Sequence, residues 1–175
     1  MQLSDAISLI QHDAFHPQGK QSWADLGCGS GLFTQALARI LQPKSTIYAI
    51  DNDLSALNKI APFDKVDIKT QQANFITDDL NLSPLNGILM ANSLHYVKNK
   101  KVLLQKLHSY LKENHSLLII EYDTDKPVST WVPYPIRFAS LRELFTESGY
   151  TSVTKMHERA SIYRTCKIYS AVASR

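Results

Sequence analysis

The stretch DLGCGSG, residues 25–31, decides how the rest of the chain is interpreted. It follows a short strand-like run, residues 22–24, and precedes an apolar helix-like run, residues 32–41. A glycine-rich turn between a strand and a helix can form a ligand-binding loop. Glycine tolerates positive φ and has no Cβ, so the ligand and the backbone can approach each other closely. The first turn of the helix adds unpaired N–H groups and a positive dipole end. The stretch therefore predicts a site for a ligand that carries an anionic group.

The spacing of the glycines separates two classes of cofactor site. Gly27, Gly29 and Gly31 form a G-x-G-x-G pattern. The dinucleotide fingerprint G-x-G-x-x-G would place its third glycine at position 32, where this chain has a leucine. The spacing therefore disfavours a nicotinamide or flavin enzyme. Two alternatives stay open: the glycines only tighten a connection, or Cys28 is a reactive thiol instead of a small turn residue.

With Asp25 at its start, the stretch resembles motif I of the class I S-adenosylmethionine-dependent methyltransferases. The resemblance covers nearly the whole chain and implies S-adenosylmethionine as cofactor and S-adenosylhomocysteine as product. This cofactor has an amino-acid end instead of a phosphate. We expect the backbone of residues 27–31, Cys28 included, to let that end approach. Asp25 would then supply negative charge for its ammonium, directly or through water.

A carboxylate ends the second predicted strand, residues 46–51. In the resembling family an acidic residue at this place binds the ribose hydroxyls, and Asp51 matches it. One carboxylate can accept two hydrogen bonds from a vicinal diol. Asn52, the next residue, is assigned to the same cofactor site. The alternative for Asp51 is an N-cap of the following helix, predicted over residues 54–61, but Asp53 can fill that role.

The third predicted strand, residues 66–71, leads to the predicted adenine site. The resemblance implies that a polar side chain here reaches the exocyclic amine and that an apolar neighbour covers the ring. Asn74 and Phe75 fit those roles, although the family more often has Asp at the polar position. An amide oxygen can still accept a hydrogen bond from the amine. The alternative is a loop residue followed by a core phenylalanine.

The fourth predicted strand, residues 87–92, ends in Asn92 and continues into the run SLHYV. This resembles motif IV and its extension in small-molecule methyltransferases, which assigns Asn92 to the cofactor site. No Pro-Pro pair follows the strand, so methylation of amide or base amines is disfavoured. His95 is the candidate general base, because imidazole titrates near neutral pH. The alternative is a packing histidine.

The remaining patterns complete an alternation of strands and helices. They predict helices over residues 4–15 and 100–112, a strand over 116–122, a helix opening at a capping box at Ser140, and a final antiparallel hairpin of residues 151–157 and 162–173. The alternation favours a doubly wound, Rossmann-like α/β fold. The resemblance implies a seven-stranded sheet, mostly parallel with one antiparallel strand. Candidate acceptor-pocket walls are Tyr96 and, in the substrate-side loop of residues 123–139, Trp131 and Tyr134.

Length and composition indicate one globular domain, residues 1–175, with an N-terminal helix and linker over residues 1–20. No run of about 18 apolar residues predicts a membrane span, and the N-terminus lacks a secretory pattern. Cys28 and Cys166 stand in neither a metal nor a disulfide pattern, so we predict no metal site. A cytoplasmic location is the resulting expectation.

The charge distribution leaves the methyl acceptor open. Residues 126–175 carry a formal net charge of +5, against −2 for residues 1–125. The leading hypothesis is an enzyme that methylates a small molecule by in-line displacement. The same chemistry on RNA or protein, using the basic C-terminal quarter, is the second hypothesis. A non-catalytic cofactor-binding member of the fold is the third. The sequence does not predict the oligomeric state.

Overall fold

The structure, a computed structural model, describes residues 1–82, 84–127, 131–161 and 166–175. Among these residues, the helices are α1 (Leu3–Ile10), α2 (Leu32–Ile40), α3 (Leu54–Leu57), α4 (Lys100–His108) and α5 (Phe138–Glu147), with a 3₁₀ turn at Leu94–Tyr96. The strands are β1 (Ser22–Leu26), β2 (Thr46–Asp51), β3 (Asp67–Gln72), β4 (Leu85–Ala91), β5 (Leu111–Tyr122), β6 (Ser152–Ala160) and β7 (Lys167–Ser174). None of these helices is long and apolar enough to cross a membrane.

The strands form one seven-stranded sheet in the order β3-β2-β1-β4-β5-β7-β6. The pairs among β1 to β5 are parallel, whereas β7 is antiparallel to both of its neighbours, β5 and β6. The predicted fold class, with one antiparallel strand, is confirmed. The strand order reverses between β1 and β4, and ligands of such sheets bind beyond the carboxyl ends of the strands at this switch point.

Helices cover the sheet on both faces, because the strands are buried on both sides. On one face, Trp23 of β1 packs with Leu37 of α2 and with the apolar side of α1. On the other face, Leu26 of β1 packs with Leu107 of α4 and Phe145 of α5. α1 therefore packs against α2 and the sheet.

Three helices end earlier than the sequence predicts. α3 ends at Leu57, because Leu57 is its one buried residue and tighter i→i−3 bonds follow, such as Ile60 N to Leu57 O. α4 ends at His108, and the chain joins the sheet at once because Leu85 N donates to Tyr110 O. α1 ends at Ile10 instead of continuing to residue 15.

The predicted capping box at Ser140 is wrong. α5 begins at Phe138, with Arg137 at the N-cap. Ser140 Oγ instead lies 3.3 Å from the carboxylate of Asp125, which also pairs with Arg137 at 2.8 Å. The backbone N–H groups at the helix start have acceptors that the local pattern does not show, because Phe138 N donates to Asp123 Oδ1 at 2.9 Å and Arg137 N donates to Asp125 Oδ1 at 3.0 Å. The predicted hairpin forms, although residues 162–165 of its second run lie outside the described residues.

Candidate functional site

A cleft of about 390 Å³ opens at the carboxyl ends of β1, β2 and β4. It therefore lies at the switch point of the sheet. Seven of the residues selected from the sequence line it together with Ala73, Ile76 and Ser93: they are Gly27, Asp51, Asn52, Asn74, Phe75, Asn92 and Tyr96. The structure thus brings together residues that are up to 69 positions apart in the chain.

The glycine turn is packed tightly at one position and open at another. Gly27 has φ +74°, and a Cβ there would lie 2.6 Å from Ser93 Cβ. Gly29 has φ +53°, and no heavy atom lies within 4 Å of the position of its Cβ. Ser93 cannot easily retreat, because its hydroxyl donates to Leu26 O at 2.6 Å. The turn therefore needs glycine at position 27 both for its backbone conformation and for space.

Asp51 ties the end of β2 to the glycine turn. Its Oδ2 accepts from Gly29 N at 2.8 Å, and its Oδ1 accepts from Asp53 N at 2.9 Å. A carboxylate offers about four lone-pair sites, so acceptor capacity remains for a ligand. Asp53, as predicted, caps α3 by accepting from Ser55 N and Ala56 N. Asp51 is consequently free of the capping role and faces the cleft.

The predicted adenine side is a fixed loop. Asn74 Oδ1 accepts from Ile76 N at 3.0 Å, and Asn74 N donates to Asp78 Oδ2 at 2.9 Å. The amide oxygen of Asn74 keeps a second lone pair, and its NH₂ remains a donor. Phe75 is buried and lines the inner wall. Hydrogen bonds from Asn74 N and Thr77 Oγ1 lower the pKa of Asp78, whose part in holding the loop the sequence did not reveal.

Two buried oxygens at the ends of neighbouring strands have no hydrogen-bond donor among the described residues. Asp25 is fully buried; its Oδ2 accepts from Thr34 Oγ1 at 2.6 Å, and its Oδ1 is unpaired. Asn92, at φ +54°, has an unpaired Oδ1. Native proteins rarely leave buried acceptors unpaired. An ammonium has three donors and no acceptor, so the amino-acid end of S-adenosylmethionine fits this part of the site.

Cys28 is a packing residue. It is buried and forms a small apolar cluster with Ala49 and Leu57. Burial raises the pKa of the thiol, and the charges of Asp25 and Asp51 act in the same direction. A thiol with a raised pKa is a poor nucleophile at neutral pH. The structure therefore supports the small turn residue and not the reactive thiol, and Cys28 can contribute its backbone to the ligand-binding loop.

His95, the candidate base, is buried and does not line the cleft. Its side chain is 3% exposed, and Nδ1 lies 2.9 Å from Glu121 Oε2. Glu121 is fully buried and also accepts from His95 N at 3.1 Å. Nε2 has no partner among the described residues. The ring of Tyr96 lies over the imidazole, with a centroid distance of 4.4 Å.

Glu121 is the residue of this region that sequence reasoning missed. It ends the apolar run of β5, Leu117–Ile120, and is buried with it. A carboxylate in a buried central strand needs a partner, so the acidic residue at this place in the sequence indicates a buried pair. In the structure the partner of Glu121 is His95, which is 26 positions away in the chain. Because Nδ1 donates to the carboxylate, Nε2 is left as the nitrogen that could accept a proton.

A second cavity of about 400 Å³ adjoins the first and shares Ile76 and Tyr96 with it. Tyr134 closes its far side and is held there, because Tyr134 N donates to His95 O at 2.9 Å and Lys100 Nζ donates to Tyr134 O at 2.7 Å. Its lining residues are Ile76, Tyr96, Val97, Lys98, Asn99, Val102, Leu103, Lys106 and Tyr134. Trp131 does not line it; its ring contacts that of Tyr122, at a centroid distance of 6.5 Å.

We expect Asp25→Asn to remove a pH dependence of stability. Burial raises the pKa of Asp25 from its ordinary 3.8 to about 7, against the hydrogen bond from Thr34. The folded state thus holds this proton more tightly than the unfolded chain. Its contribution is complete below about pH 4 and is lost as the pH rises towards 7, by about 1.4 kcal/mol per pH unit. Urea unfolding at pH 5 and pH 8 should show the wild type losing about 2–3 kcal/mol relative to the variant. Parallel pH profiles would contradict this assignment.

Known proteins of similar sequence and structure are methyltransferases or share their fold. A family model described as a methyltransferase domain matches residues 3–164. Uncharacterized methyltransferases of Mycobacterium bovis and Mycobacterium tuberculosis are 26% identical over 113 residues, which is 64% of this chain and 56% of theirs. The match therefore spans little more than half the length of these relatives.

Two solved structures illustrate the likeness of the fold. The YcgJ protein of Bacillus subtilis superposes with a TM-score of 0.72 at 9% identity, covering 99% of this chain and 97% of its own. The plantazolicin methyltransferase BpumL, solved in complex with SAH, superposes with a TM-score of 0.66 at 12% identity, covering 99% of this chain and 83% of its own.

Proposed function

This chain belongs to the class I S-adenosylmethionine-dependent methyltransferases, and we propose on that premise that it transfers the cofactor's methyl group to a small-molecule acceptor. The observation that carries the proposal is the cleft at the switch point, which Asp51 and Asn92 line, together with two buried oxygens, Asn92 Oδ1 and Oδ1 of the fully buried Asp25, that have no donor among the described residues. These groups would serve the two ends of one elongated ligand, the ammonium and the ribose diol.

The cofactor-binding roles follow from the chain's own contacts. Asp25 and Asn92 would accept from the ammonium, and the open face of Gly29 would leave room for the amino-acid end. Asp51 would accept from the ribose hydroxyls while it holds Gly29 N. Asn74, with Asn52 at the rim and Phe75 behind, would contact the adenine. The sulfonium supplies an activated methyl group, so the protein's main contribution is to orient the acceptor in line behind it.

The second cavity supports a small acceptor. At about 400 Å³, it has the size of an ordinary small-molecule site, and Tyr96 and Ile76 join it to the cofactor cleft. An acceptor in contact with Tyr96 is thus next to the cofactor. Tyr96 and Tyr134 keep their proposed role as walls of this pocket. Trp131 does not line this cavity and its ring contacts that of Tyr122, so we assign it no direct contact with the acceptor.

A base role for His95 is restricted by the geometry. Nε2 is the nitrogen available to accept a proton, and the ring of Tyr96 lies over the imidazole. We propose that His95 acts as a base only when Tyr96, which is half exposed, turns aside for an acceptor hydroxyl. Otherwise the His95–Glu121 pair positions Tyr96 and, through His95 O, Tyr134.

Transfer of labelled methyl from S-adenosylmethionine tests the proposal. The protein would be incubated with metabolite, RNA and protein fractions, and label should enter the metabolite fraction. Label in RNA or protein would support the second hypothesis, which uses the basic C-terminal quarter. Cofactor binding with no label in any fraction would support a non-catalytic binding role. A cytoplasmic location and a single domain over residues 1–175 stay predictions beside this proposal.

A further inference from the structure

Exposed apolar side chains are concentrated around the second cavity. Among the described residues, seven large apolar side chains are exposed, and four of them line this cavity: Ile76 (39%), Tyr96 (50%), Val102 (56%) and Tyr134 (41%). Single exposed apolar residues need no explanation, but a contiguous group marks a binding surface. Two of the four are aromatic rings, which favour a flat or ring-shaped ligand between them.

The charges that line the same cavity are all positive. They are Lys98 and Lys106, and no carboxylate is among the described residues that line the cavity. The ammonium of Lys106 is occupied, because it donates to the carbonyl oxygens of Phe75, Ile76 and Asp78. The ammonium of Lys98 makes no hydrogen bond or ion pair with another described residue, and its side chain is exposed. The ammonium of Lys98, at the rim of the apolar pocket, is therefore available to pair with an anionic ligand.

The nearby backbone adds to this positive potential. The cavity borders the first turn of α4 at Asn99, Val102 and Leu103, and the N-terminal end of a helix carries a partial positive charge. Asn99 Oδ1 accepts from Val102 N at 3.2 Å and so satisfies one of the N–H groups that have no partner within the helix.

Two carboxylates lie in this region. Asp78 is exposed near Lys106 and accepts hydrogen bonds from Asn74 N and Thr77 Oγ1, and Glu121 is buried and paired with His95. Neither forms an ion pair with Lys98 among the described residues.

We propose that the second cavity binds a hydroxylated aromatic carboxylate as the methyl acceptor, with its ring against Tyr96 and Tyr134 and its carboxylate paired with Lys98. The hydroxyl oxygen would take the methyl group as the methyl–sulfur bond breaks and leaves S-adenosylhomocysteine, and the hydroxyl proton would pass to His95 Nε2 or to water. This rests on the proposed function, and it names the acceptor class for that site. A ring that touches Tyr96 lies at the wall shared with the cofactor cleft. A carboxylate at the rim keeps its hydration on one side, so its contribution is to select the acceptor more than to anchor it.

Three matched ring compounds test the charge preference. 4-Hydroxybenzoate, 4-hydroxybenzamide and tyramine would be titrated by ligand-observed NMR, with and without S-adenosylhomocysteine. The carboxylate should bind about three- to fivefold more tightly than the amide, the range of a partly exposed ion pair, and tyramine most weakly. Equal affinities, or a preference for tyramine, would overturn the inference.

Two variants and a control locate the effect. Lys98→Glu should remove the preference for the carboxylate and leave amide binding within twofold, whereas Tyr134→Ala should weaken all three compounds. Lys20→Glu makes the same charge change at an exposed residue that precedes β1, at the amino ends of the strands and away from the cleft, and should change nothing. If S-adenosylhomocysteine fails to bind, the proposed function fails while the charge preference is still measured without it. If it binds and Lys98→Glu has no selective effect, this inference alone is wrong.

Discussion

Gly27→Ala should cost about 2–5 kcal/mol of the free energy of unfolding and abolish measurable binding of S-adenosylhomocysteine. The backbone at Gly27 has φ +74°, which an L side chain tolerates poorly, and the new Cβ would lie 2.6 Å from Ser93 Cβ. Ser93 is fixed by its hydrogen bond to Leu26 O, so the glycine turn has to move instead. Urea unfolding and calorimetric titration measure the two effects.

Gly29→Ala is the matched control for this change. It has a similarly positive φ of +53°, but no heavy atom lies within 4 Å of its Cβ position. We expect it to cost only the backbone strain, about 1–2 kcal/mol. Equal losses of stability in the two variants would show that the contact with Ser93 is not what requires glycine at position 27.

Glu121→Leu should lower the free energy of unfolding by about 3–5 kcal/mol, the usual loss when one partner of a buried pair is removed. The carboxylate accepts from His95 Nδ1 and from the backbone N–H groups of His95 and Tyr122, and all three donors would lose it. Urea unfolding measures the loss. Glu121→Gln, which keeps an acceptor oxygen, should lose less.

A double-mutant cycle with His95→Leu isolates the pair. Replacing both partners by apolar residues removes the unpaired ring nitrogen, so the double variant should be more stable than the sum of the single losses predicts. Additive losses would indicate that His95 and Glu121 contribute independently. In that case the imidazole would have no special dependence on Glu121 for its orientation.

The parts of the fold that the sequence predicts correctly are those that depend on residues close together in the chain. Residues 46–51 were expected as a strand, and β2 spans the same residues, because a continuous apolar run between turn residues has few alternatives. The capping role of Asp53 also follows from its position, since an N-cap residue directly precedes its helix, and this leaves Asp51 without a capping role. The residues of the cleft were predictable because they stand at the carboxyl ends of the predicted strands.

The parts that were missed depend on tertiary partners. α5 begins at Phe138, whose N–H donates to Asp123 Oδ1, and not at the capping-box signal of Ser140. The burial of His95 depends on Glu121, which is distant in the chain. The raised pKa of Asp25 arises from complete burial, and no local pattern distinguishes a buried carboxylate from one at the surface.

Calorimetric titration with S-adenosylhomocysteine tests the central claim, that the cleft at the switch point binds this cofactor through Asp51 and the buried acceptors. We expect saturable binding to the wild type and none of NAD. Asp51→Asn should weaken binding by about 1.5–3 kcal/mol, the value of a hydrogen bond to a charged group, with its fold checked by urea unfolding. Absence of binding to the wild type, or affinity unchanged in Asp51→Asn, would contradict the account.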